Sequence, residues 1–126
     1  MCKRTNFSEY LTQRKTGLRA ISLREGDSLI LARLAQEGDE VLIATSKGKA
    51  LRMRVGDVRP MGRTATGVIG IRLDKDDYVI GADPLTPKAK VLLVSEFGYG
   101  KITRVNDFPL QGRGGKGVIA LRASEK

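Results

Sequence analysis

Short apolar runs separated by polar, glycine-bearing turns divide this chain, and no stretch repeats its apolar positions at helical spacing. Val41 to Thr45 and Val91 to Ser95 are rich in branched residues, which predicts strands buried on at least one face. Leu29 to Leu34 and Tyr78 to Asp83 are further strand candidates. Each follows an acidic turn, Arg24-Glu25-Gly26-Asp27 or Asp74-Lys75-Asp76-Asp77. Ser46-Lys47-Gly48-Lys49 and Glu96-Phe97-Gly98-Tyr99-Gly100 hold the glycine of a tight hairpin. Leu51-Arg52-Met53-Arg54-Val55 then alternates, so one face of that strand is expected in a core and the other carries charge. Lys101-Ile102-Thr103-Arg104-Val105 repeats it less strictly, and Gly67 to Leu73 and Gly117 to Arg122 supply a fourth strand.

These elements recur at a fixed distance. About a third of the positions from Ile21 to Arg72 carry the same residue fifty places later, without a gap. Val41-Leu42 returns as Val91-Leu92, Arg54-Val55-x-Asp57 as Arg104-Val105-x-Asp107, and Gly67-Val68-Ile69 as Gly117-Val118-Ile119. A partial third copy lies upstream, where Lys3-x-Thr5 through Tyr10 and Gln13 resembles Lys101-x-Thr103 through Phe108 and Gln111. One supersecondary unit is therefore being stacked. Four short strands per unit predict an all-β fold of propeller-like blades, with about two and a half repeats: a partial repeat over 1–23, a second over 24–73, a third over 74–122 and a tail over 123–126. Because neither end shows a capping unit, the chain reads as an excerpt of a longer array.

Charge then narrows the partners. The net charge is +9, with no histidine, and a surplus of that size favours a polyanion such as nucleic acid or an acidic surface. The apolar runs are far shorter than the roughly 20 residues of a spanning helix, so no membrane partner is expected. Cys2 is the only cysteine. No internal disulfide is possible, and a reducing cytoplasm is the compartment expected.

The loop before the fourth strand carries glycine and cations in every copy. It reads Gln13-Arg14-Lys15-Thr16-Gly17, Met61-Gly62-Arg63-Thr64-Ala65-Thr66-Gly67 and Gln111-Gly112-Arg113-Gly114-Gly115-Lys116-Gly117. Glycine lets backbone amides approach a phosphate. Arginine adds a planar donor fork, and lysine a mobile charge. Such loops repeated along an array would form a basic track for a duplex backbone. Arg14, Lys15, Arg63, Arg113 and Lys116 are its candidate contacts, joined by Lys49, Arg52, Arg54, Lys101 and Arg104 from the neighbouring hairpins. Replacing Arg63, Arg113 and Lys116 by alanine is expected to weaken binding and leave the fold intact. A solvated turn remains the alternative for any one loop, and an acidic protein partner the alternative for the surface.

Gln111-Gly112-Arg113-Gly114-Gly115-Lys116-Gly117 resembles the Gln-Arg-Arg-Gly-Gly-Lys-Gly box of the DNA gyrase A subunit. Phe97-Gly98-Tyr99-Gly100-Lys101-Ile102-Thr103 and Gly67-Val68-Ile69-Gly70-Ile71-Arg72-Leu73 resemble blades of that family's C-terminal domain. The resemblance implies a β-pinwheel whose rim binds and bends double-stranded DNA in support of negative supercoiling. It also implies, as partners, the remaining blades and cleavage domain of the parent protein and, indirectly, the gyrase B subunit. Gly112 stands where the box has its first arginine, and the box-like loop lies in the third repeat, whereas the family's box belongs to the first blade. The A chain of the related topoisomerase IV fits the same pattern.

No catalytic constellation, metal site or cofactor is expected from these residues. Asp27, Asp57, Asp77 and Asp107 recur at equivalent places and read as turn formers. Tyr10 aligns with Phe108, which marks it as an apolar packing position. An incomplete ring leaves strand edges unpaired, so self-association is a further expectation.

Overall fold

A computed structural model describes residues 1–122, and the tail assigned to 123–126 lies outside the described residues. Six strands are formed: β1 (Glu40–Thr45), β2 (Lys49–Arg54), β3 (Val79–Leu85), β4 (Lys90–Val94), β5 (Gly100–Arg104) and β6 (Val118–Ile119). The helical content among the described residues is three short 3-10 turns, at Phe7–Tyr10, Val55–Asp57 and Val105–Asp107.

β1 and β2 make an antiparallel hairpin with Glu40 opposite Arg54 and Ala44 opposite Ala50. β4 and β5 repeat that register fifty residues later, from Lys90 opposite Arg104 to Val94 opposite Gly100. The first hairpin lies inside a four-stranded sheet of order β3-β1-β2-β6. Both flanking strands therefore come from the third repeat, so this sheet draws on two consecutive units. The exchange stitches the array together, because the second repeat does not complete its sheet alone.

β2 shows what the stacking does to an alternating strand. Leu51 and Met53 join Ile43, Val58 and Ile71 in one cluster, against which Cys2, Val41, Val68, Val79 and Ala82 pack. Ala50, on the other face, joins Leu42, Phe108 and Ala120 in a second cluster. Leu51 is fully buried. Burying such a side chain contributes roughly 1.5–3 kcal/mol. The arginine-bearing face of β2 is thus not a solvated surface as the alternation suggested, because the third repeat covers it. Arg54, at the strand end, is exposed.

Two strand expectations need correction. Leu29–Leu34 forms no strand, and Leu29, Ile30 and Leu34 are more than half exposed. Its equivalent one repeat later is β3, which exists because β1 pairs with it along its length. Among the described residues no such partner stands beside Leu29–Leu34. The fourth strands are also shorter than expected. Of Gly117 to Arg122 only Val118–Ile119 is a strand, and of Gly67 to Leu73 only Val68 makes a bridge, to Cys2. Each segment pairs with the preceding repeat over a residue or two before turning away.

The Cys2–Val68 bridge and the Ala50–Val118 pair are the same contact one repeat apart. Their equivalence explains why the loops end in glycine. Gly67 and Gly117 have φ of 109° and 77°, and a Cβ at either would fall on the carbonyl oxygen of Cys2 or Ala50 respectively. Only glycine tolerates both the left-handed backbone and the close approach.

Candidate nucleic-acid interface

The two complete glycine-rich loops are anchored in matching ways. The Met61 amide donates to the Arg4 carbonyl, and the Gln111 amide to the Arg52 carbonyl, each at 2.9 Å. The Ser22 amide donates to the Ala65 carbonyl at 3.3 Å, and the Arg72 amide to the Gly115 carbonyl at 2.9 Å. Each loop is pinned on one side by an arginine carbonyl of the preceding repeat, Arg4 or Arg52, and on the other by the segment that follows the preceding repeat's loop.

The loop arginines follow the same rule. Arg63 Nη1 donates to the Arg19 carbonyl and Arg113 Nη1 to the Ile69 carbonyl, both at 2.8 Å. Arg113 Nε also donates to the Asp57 carbonyl at 3.3 Å. A guanidinium carries five N–H donors, so these contacts hold each charge in place and leave donors for a phosphate. They also mean that alanine at Arg63 or Arg113 removes a tie between repeats, a structural cost the sequence alone did not show.

The remaining candidate cations and Arg4 fall into three groups. Arg52 is largely enclosed, with Nε 2.6 Å from Glu40 Oε2 and Nη1 donating to the Phe108 carbonyl at 2.8 Å. Its repeat equivalent Arg4 likewise donates to a carbonyl, that of Val58. Lys49 Nζ lies 2.5 Å from Asp74 Oδ2, and the exposed Lys116 reaches the other oxygen of the same carboxylate at 3.6 Å. Arg14, Lys15, Arg54, Lys101 and Arg104 are exposed, and their charges make no ion pair among the described residues. The geometry thus joins Arg63, Arg113, Lys116 and Lys49 to the loop junctions, while Arg52 serves the contact between repeats.

Three residues that sequence reasoning passed over matter here. Lys3 Nζ donates to the Ala20 and Arg63 carbonyls at 2.6 Å, tying the second loop to the first repeat. Arg4 duplicates Arg52. Asp74 draws two lysines together, and its equivalent fifty residues earlier is Arg24, a charge reversal visible in the aligned repeats. The Lys49 hydrogen bond and charge, with Lys116 adding to them, hold the Asp74 carboxyl below the ordinary aspartate range. Burial alone would raise the Asp77 carboxyl. Hydrogen bonds from Ser46 Oγ at 2.7 Å and from the Lys47 and Tyr78 amides at 2.9 Å outweigh it and lower the carboxyl. Asp77 is thus a turn former, as is Asp27, whose carboxylate accepts from the Ser28 amide. Among the described residues no cluster of three or more histidine, cysteine or acidic side chains is placed to hold a metal. No described helix is long and apolar enough to cross a membrane.

The sequence matches the family described as "DNA gyrase C-terminal domain, beta-propeller" over residues 1–35, 39–86 and 89–126. The chain belongs to this family. The fold is accordingly all-β and propeller-like, a β-pinwheel, and two of the three matched segments begin just before the β1–β2 and β4–β5 hairpins. Among relatives, the DNA gyrase A chain of Aminobacterium colombiense is 48% identical over 81 residues, which is 64% of this chain and 10% of the relative. Its Helicobacter pylori counterpart is 44% identical over 81 residues, with the same coverages. The chain therefore spans about a tenth of the length of these relatives. In three dimensions it is similar to the C-terminal domain of DNA topoisomerase IV, with TM-score 0.87, 26% identity and coverage of 93% of this chain and 37% of that one. It is also similar to a DNA gyrase A C-terminal domain, with TM-score 0.75, 29% identity and coverage of 82% and 36%.

Proposed function

We propose that the chain is a non-catalytic module that binds and bends duplex DNA within a type II topoisomerase, as the C-terminal region of a gyrase A chain. The carrying observation is the matched anchoring of Arg63 and Arg113, which presents a held cation at the same point of successive repeats. Two such points, with the exposed Arg14, Lys15, Arg54, Lys101, Arg104 and Lys116, suit the sugar–phosphate backbone better than a base edge. Little sequence preference follows. The organisation we propose is a single fragment of a blade-repeat domain: a partial repeat over 1–23, then repeats over 24–73 and 74–122.

Its proposed partners are double-stranded DNA, the remaining blades and cleavage domain of the parent protein and, through these, the gyrase B subunit, all in the cytoplasm. Gyrase is favoured over topoisomerase IV by the gyrase A relatives at more than 40% identity. Duplex length provides the test. Bending costs energy that only added contacts return, so affinity should climb as the duplex becomes long enough to curve around the module. Affinity independent of length would instead indicate a simple site for an acidic partner.

A further inference from the structure

Lys49, Asp74 and Lys116 come from three different segments, and they converge on one point. Lys49 begins β2, Lys116 lies in the third loop, and Asp74 opens the third repeat. One Asp74 oxygen faces Lys49 Nζ at 2.5 Å and the other faces Lys116 Nζ at 3.6 Å. A third cation stands close by, because Lys47 Nζ donates to the Lys75 carbonyl at 2.5 Å, next to Asp74 in the chain. The neighbouring carboxylates do other work or none. Asp77 is occupied by Ser46 and two backbone amides, and Asp76 makes no ion pair among the described residues. The Asp74 carboxylate is met by ammonium groups alone.

The arrangement does not belong to the repeat. At the preceding junction the positions equivalent to Lys49, Asp74 and Lys116 hold Met1, Arg24 and Thr66. A carboxylate between two cations has therefore been placed at one junction, where its counterpart is a cation at the other.

We infer that Asp74 is an internal stand-in for a DNA phosphate, which masks a two-lysine phosphate site formed by Lys49 and Lys116. This rests on the proposed reading of the surface as a duplex track, and adds to it that one position on the track is held closed by the chain's own carboxylate. Asp74 and a phosphate oxygen are both anionic acceptors for the same ammonium donors. While the carboxylate holds both ammonium groups the duplex makes no phosphate contact at this junction, so binding is weaker than its cations alone suggest.

Asp74→Asn removes the charge and keeps the shape. Every additional phosphate neutralised steepens the fall of log K with log salt by about 0.9. With both lysines released the slope should steepen by about 1.8, and the affinity advantage over the parent should grow by roughly tenfold between 200 and 50 mM salt. Asp76→Asn makes the same change in net charge two residues away and should leave the slope at the parent's value. Asp74→Glu, which keeps the charge, should track the parent. Adding Lys49→Ala and Lys116→Ala to Asp74→Asn should abolish the increase. Salt titrations of duplex affinity on the full chain and these variants read all of this. A parent that binds duplex with a steep salt slope, while Asp74→Asn and Asp76→Asn behave alike, overturns the masking and leaves the track standing. A parent that binds no duplex overturns both.

Discussion

Arg113 donates a 2.8 Å hydrogen bond to the carbonyl of Ile69, tying the third loop to the end of the second repeat. Arg63 makes the same bond to Arg19 one unit earlier. The loop arginine is thus a joint as well as a charge, and the two roles can be separated. Arg113→Lys keeps the charge and loses the planar fork that reaches Ile69 and Asp57 together. It is expected to lower unfolding stability by about 1 kcal/mol while leaving the salt slope for duplex DNA near the parent's. Arg113→Ala should lose both, with the slope shallower by about 0.9. Chemical denaturation alongside a salt titration reads the two effects. Identical behaviour of the two variants in both measurements would refute the division of roles.

The terminal glycines of the loops give a sharper structural test. Gly117→Ala would drive a methyl group into the Ala50 carbonyl at a left-handed backbone, a combination that costs more than the roughly 1–3 kcal/mol typical of backbone strain alone. Gly98→Ala, also at positive φ but facing open space, should cost about 1 kcal/mol. Thermal melts of the two variants should rank in that order, and equal melting temperatures would deny the close approach.

Acid should loosen the fold through Asp74 and Asp77. Both carboxyls are depressed in the folded chain. Their contribution is therefore complete above the unfolded value of about 4 and is lost as pH falls through the lower folded values. Melting temperature should be flat from neutrality down to about pH 5 and then drop. Asp77→Asn should flatten the drop. A variant whose acid profile matches the parent's would remove Asp77 from that role.

The β4–β5 hairpin has no further strand paired to it among the described residues, and Leu92, Val94 and Ile102 are each more than 60% exposed. An unpaired edge beside exposed apolar side chains recruits other strands. Sedimentation should therefore detect association that rises with concentration and falls when Leu92 and Ile102 are changed to Lys. A monomer at all concentrations would count against this.

Much of the architecture could be read from the residues, for identifiable reasons. β1, β2, β4 and β5 are local hairpins whose branched runs and glycine turns carry their own signal. The repeat makes each one evidence for the other. Leu29–Leu34 looks like β3 in composition but lacks a partner strand, and pairing over long sequence distances leaves no local trace. Arg52 alternates as a surface residue should, yet the third repeat covers that face and encloses its side chain. Asp74 reads as a turn residue, and only the comparison with Arg24 marks it as different. The loops were legible as basic, while their arginines' carbonyl contacts depended on how successive repeats meet.

The most direct measurement is the salt dependence of duplex affinity for the chain and for its Arg63→Ala, Arg113→Ala, Lys116→Ala triple variant. If the repeated loops form one phosphate-contacting track, binding weakens on every sequence and the slope of log K against log salt becomes shallower by about 1.8, the share of the two arginines, since Asp74 already holds Lys116. A folded triple variant with the parent's affinity and slope would contradict it.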